Sequence, residues 1–118
     1  MIKANEVRIG NIFNWDTVDS PSYFELEHFK YLDRLKPIPL TEKLLLRFGF
    51  EIYKLNNGAY EVNLNDFFSL KFIPKDKWRE NDAFYLLSND DDIGLIIENV
   101  HTFQNLYFVL TGQELELK

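Results

Sequence analysis

His101, Gln104, Asn105 and Phe108 fall within roughly one third of a helix circumference if the segment around them is helical. Such a face is a small polar and aromatic patch that could hold a ligand or a peptide. The competing reading is structural, because polar side chains beside an apolar stripe also serve to satisfy backbone groups where a helix docks. A second group, Lys75, Lys77, Trp78 and Arg79, with Lys71 before it, mixes cations with an aromatic ring. Nucleic-acid bases stack on such rings while cations meet phosphate. Here Asp76, Glu80 and Asp82 interrupt the run, so it also reads as an ordinary exposed loop. A third group is acidic: Asp90, Asp91 and Asp92 follow Glu80 and Asp82. Oxygen ligands suit a hard cation, but the alternate ligands, the glycine at position six and the distal Glu of an EF-hand are missing, which leaves a solvated turn.

The remaining chemistry is sparse. The two histidines, His28 and His101, lie far apart in the chain, and no cysteine is present. Thiol nucleophiles, disulfides and Cys-based zinc sites are thereby excluded. There is no G-x-S-x-G elbow, P-loop, dinucleotide fingerprint or H-E-x-x-H pair. No catalytic, cofactor-binding or metal-ligating residue is assigned from the sequence.

A formal net charge of -6 argues against non-specific binding to nucleic acid or anionic lipid. The 118 residues are the length of one domain, residues 1–118. Eleven Phe, six Tyr and two Trp make disorder improbable on composition. The first residues, Met1 to Arg8, carry no apolar signal-peptide region, and no uncharged apolar stretch reaches membrane-spanning length. The expected location is the cytoplasm.

These residues must be positioned by elements that the periodicity predicts. Val100, Phe103, Leu106, Tyr107 and Leu110 recur at helical spacing, with Asn99 as N-cap and Gly112 as terminator. Thr41 should cap a short helix over 41–48 that Gly49 ends, with Leu44, Leu45 and Phe48 on its apolar face. From Phe50 the period becomes two. Strands are expected at 50–55, 60–64, 67–73, 82–88 and 93–98, the first pair joined by a type I′ turn at Asn57-Gly58. Residues 36–40 must be extended around Pro37 and Pro39. Gly10-Asn11 marks a bend ahead of an N-terminal β segment, and Glu114–Leu117 alternates as a further edge strand would. Residues 16–36 read as a strand followed by a helical turn, with a helix starting at Ser20-Pro21 as the alternative. The fold class is α+β: an antiparallel meander over about residues 50–98, packed by the C-terminal amphipathic helix.

Three blocks carry a resemblance. They are Lys3-Ala4-Asn5-Glu6-x-Arg8-Ile9-Gly10-Asn11, Lys36-Pro37-Ile38-Pro39-Leu40-Thr41-Glu42, and Val100-His101-x-x-Gln104-Asn105-Leu106-Tyr107-Phe108-x-Leu110-Thr111-Gly112-x-Glu114-Leu115. Together the chain resembles a family of small uncharacterised proteins of Bacteroides-type bacteria, their prophages and mobile elements. The resemblance implies a phage-like context and brings no catalytic residue with it. The expected function is a non-catalytic protein-binding or assembly module, contacting another protein or its own copy. Two alternatives are a small metal-dependent hydrolase or nuclease using carboxylates and His, and a nucleic-acid-binding accessory protein acting through residues 71–79.

Overall fold

A computed structural model describes residues 8, 10–15, 18–25, 35–75, 81–89 and 91–117, and among these residues are eight strands and two α-helices. The chain divides into two compact units: residues 1–40 with 99–114, and residues 41–98 with 115–118.

In the first unit, β1 (Ile12–Trp15) lies between β2 (Val18–Tyr23) and β3 (Leu35–Lys36), antiparallel to both. Gly10 takes φ +95°, a value that favours glycine, and the chain turns there before entering β1. Pro21 lies inside β2, so no helix starts at Ser20-Pro21. Among the described residues β2 pairs with β1 alone, the edge position in which a strand tolerates a proline. The segment around the two later prolines is extended as predicted, and Pro39 bridges Asn99. Helix α2 (Val100–Thr111) follows. Val100 and Phe103 are buried, whereas Leu106, Tyr107 and Leu110 are half-buried. Asn99 holds the N-cap position, but its side chain makes no capping hydrogen bond. Its carbonyl accepts the Phe103 N–H. Gly112 ends the helix at φ +74°, donating its N–H to the Phe108 carbonyl.

The second unit opens with α1 (Glu42–Arg47). The Thr41 hydroxyl accepts the Leu44 N–H at 3.3 Å. Gly49, at φ +95°, donates to the Leu46 carbonyl at 3.0 Å, and Phe50 donates to the Leu45 carbonyl at 3.2 Å. This is a Schellman termination. It explains why the strand expected from Phe50 starts late: the Phe50 N–H closes the helix, and β4 is only Tyr53–Lys54. Asn57 (φ 61°, ψ 31°) and Gly58 (φ 82°) supply the two positive φ values of the predicted turn, closed by Ala59 N–H to the Asn56 carbonyl. Then come β5 (Tyr60–Asn63), β6 (Phe68–Ile73), β7 (Ala83–Ser88) and β8 (Asp91–Ile97), in spatial order β4-β5-β6-β7-β8, all antiparallel. The Asn65 carboxamide oxygen turns the β5–β6 connection by accepting the N–H groups of Phe67 and Phe68. Residues 113–117 form no strand, although Leu115 is buried. The expected fold class, α+β with an antiparallel meander and a C-terminal helix, is the one observed.

Register places Tyr60, Phe72, Phe84 and Ile97 side by side across four strands. Tyr60 stacks on Phe72 at 4.7 Å between ring centroids, and Phe72 meets Phe84 at 5.0 Å. The next row, Val62, Leu70 and Leu86, is also buried. Among the described residues, no helix is long and apolar enough to cross a membrane.

Burial pushes the Tyr60 phenol above its ordinary value, and the charges of Glu42 and Asp82 push the same way. The folded state therefore favours the neutral phenol. That contribution is complete below the unfolded value of about 10 and is lost as pH rises toward the folded value. Denaturant titrations between about pH 9 and about pH 11.5 should show wild-type stability falling faster than that of Tyr60→Phe, which keeps the ring and loses the titration.

Candidate functional site

The helix-face patch comes apart when its side chains are placed. Gln104 is fully buried, and its amide spans the entry to β1. Its Oε1 accepts the Ile12 N–H at 2.8 Å, and its Nε2 donates to the Gly10 carbonyl at 3.1 Å. A single side chain thus does for residues 10–12 what a neighbouring strand's peptide group would do. His101 is also buried, one turn earlier, with its ring 4.7 Å from that of Phe13. Both residues are packing and hydrogen-bonding elements of the first unit.

Asn105 is half-buried and is held in a second cluster. Its Oδ1 accepts from Arg8 Nε at 2.7 Å and from Asn11 Nδ2 at 2.8 Å. Asn11 is itself buried, and its Oδ1 accepts the Arg8 N–H at 2.6 Å. The Arg8 guanidinium then forks onto the Glu114 carboxylate at 3.1 and 3.0 Å. It also lies 4.5 Å from the Phe108 ring centroid, a cation–π contact. Phe108 keeps 39% of its surface exposed, and Val109 beside it 79%. Of the four patch residues, only Phe108 offers an exposed apolar surface. The Arg8, Gly10 and Asn11 block and the Gln104 and Asn105 block, remote in sequence, are therefore one hydrogen-bonded assembly.

The other sequence candidates fare differently. Lys77, Trp78 and Arg79 lie outside the described residues, as do His28, Glu80 and Asp90. Lys75 is exposed, and its backbone N–H donates to Asp82 Oδ1 at 2.7 Å. Asp91 and Asp92 are exposed and open β8 rather than ending a turn before it. Asp92 Oδ1 accepts the Gly94 N–H at 2.7 Å. Among the described residues, no three His, Asp or Glu side chains are grouped to hold a metal ion. An open hollow of about 530 Å³ beside the β4–β5 turn is lined by Lys54, Leu55, Asn56, Ala59 and Lys71, with Lys54 ion-paired to Glu42.

Sequence reasoning missed a different surface. Among the described residues, β8 has a hydrogen-bonded neighbour, β7, on one side only. Ile93, Leu95 and Ile96 on it are 49%, 41% and 50% exposed. Near-continuous apolar runs usually belong to strands buried on both faces. Here the run Ile93-Gly94-Leu95-Ile96-Ile97 stands at the sheet edge, and strand order, which decides this, leaves no local signal. Between the pairs Leu87–Asp92 and Leu86–Leu95 the ladder shifts, so Ile93 and Gly94 form a bulge, with Gly94 at φ +78°.

Two substitutions test the Gln104 clasp. Gln104→Ala strands a buried donor, the Ile12 N–H, and a half-buried acceptor, the Gly10 carbonyl, and should cost about 2–4 kcal/mol in denaturant titration. Gln104→Glu can imitate the amide only when protonated, donating to the Gly10 carbonyl while accepting the Ile12 N–H. Its folded carboxyl is therefore raised, so its deficit against wild type should be smallest below about pH 4 and grow above it.

No family model, no curated protein and no solved structure matches this chain.

Proposed function

We propose that the protein is a non-catalytic protein-binding module whose contact surface is the β8 edge. One observation carries this reading: an edge strand that, among the described residues, pairs on one side only and exposes three large aliphatic side chains. Soluble proteins ordinarily blunt such edges, and exposed apolar surface beside an open edge favours contact with another chain. The prophage or mobile-element setting enters through the resemblance of the three sequence blocks, and gene neighbourhood is its direct test.

The hydrolase alternative asks for carboxylates converging on a histidine. His101 is buried against Phe13, so it offers no such support. The nucleic-acid alternative rests on residues 71–79 against a net charge of -6.

Panning the purified protein against displayed extended peptides tests the reading. Wild type should select binders, and Ile96→Lys, checked for an unchanged melting curve, should lose them. Equal binding by wild type and Ile96→Lys would move the contact surface away from β8.

A further inference from the structure

We infer that the β8 edge accepts an extended segment of another protein with an apolar centre and basic ends, added as a sixth strand. This rests on the protein-binding reading above and names the partner's chemistry.

Backbone geometry sets the mode. A strand paired on one side presents alternate N–H and C=O groups on the other, and an extended peptide satisfies them by adding to the sheet. The side chains set the centre. Leu95 continues the row Val62, Leu70 and Leu86, while Ile96 continues the opposite-face row Tyr53, Glu61, Lys71 and Tyr85. Both rows stop at an exposed aliphatic residue. An added strand with apolar residues pointing to each face would extend both.

Charge sets the ends. Asp91 and Asp92 open the strand, Glu98 follows it, and all three are exposed. No Lys or Arg occurs in the sequence between Arg79 and Lys118. The edge thus lacks the lysine that commonly protects exposed strands and carries acid at both ends instead. A second copy of the chain is a poor occupant. Antiparallel pairing of two β8 strands sets Asp91 and Asp92 near the other copy's Glu98, and parallel pairing sets the aspartates near each other. The bulge at Ile93 and Gly94 would also have to be matched against itself. A segment flanked by Lys or Arg meets neither obstacle, and like-charge rejection of acidic segments supplies selectivity.

The test uses three fluorescein-labelled peptides whose centres are apolar on both faces, KKVIVIVKK, SSVIVIVSS and EEVIVIVEE, titrated with the full chain and followed by polarisation. The basic-ended peptide should bind at least about tenfold tighter than the acidic-ended one, and about 0.5 M salt should shrink that advantage. The double variant Asp91→Lys with Glu98→Lys should invert the preference. Ile96→Lys, or Ile93→Lys if the first does not fold, should weaken binding of the basic-ended peptide, while Val109→Lys on the exposed face of α2 should not. Equal binding of all three peptides, unmoved by the double variant, overturns the basic-ended partner and leaves the binding reading standing. A dimer in sedimentation that Ile96→Lys dissociates, with no peptide bound, makes the second copy the occupant and likewise overturns the inference alone. A monomer that binds no peptide overturns both.

Discussion

The Gln104 amide is the constraint on which the first unit depends. It joins the backbone at Gly10 and Ile12 to a helix 92 residues further along the chain. Buried amides lose water on both their oxygen and their nitrogen, so a glutamine there is stabilising only if both are answered. Both are, because Gly10 turns the chain at a positive φ and β1 begins directly after it. The clasp orders the entry to β1, and Phe13 then packs its ring against His101. Around it, Asn11, Asn105, Arg8 and Glu114 form a second, more exposed ring of hydrogen bonds. The Arg8–Glu114 pair, being solvent-accessible, contributes far less than the buried amide.

This arrangement gives a physical meaning to two short sequence blocks, residues 8–11 and residues 104–105. Arg-x-Gly-Asn and Gln-Asn are the two halves of one hydrogen-bonded assembly. Each side chain has a partner whose geometry would be lost with another residue type. Residue types that look suited to holding a ligand are here suited to holding backbone, since both tasks need directional donors and acceptors.

In the second unit the organising force is different. Tyr60, Phe72 and Phe84 meet across three adjacent strands, and aliphatic residues fill the next row. Cross-strand pairing of this kind needs an unbroken register, which β5, β6 and β7 keep. β8 departs from it through the Ile93–Gly94 bulge. The departure coincides with exposure on both faces, so the same strand that completes the meander also supplies its open apolar edge.

Local chemistry was enough to predict much of this fold. Thr41 and Gly49 bound α1, Asn57-Gly58 makes the turn, Gly112 ends α2, and prolines 37 and 39 hold their segment extended, because each acts through its own φ or a hydrogen bond a few residues away. The two-residue period of β5 to β7 is equally local. What the sequence alone misjudged depends on long-range partners. Phe50 belongs to the close of α1 rather than to β4, because the Leu45 carbonyl takes its N–H. Leu106 has the spacing of a core residue but is only half-buried. Tertiary structure decided that Gln104 and His101 face inward, since a polar residue on a helix carries no mark of whether backbone or solvent will meet it. It likewise decided that the apolar run of β8 stands at an edge, because strand order is set by which ladders close and not by the residues of any one strand.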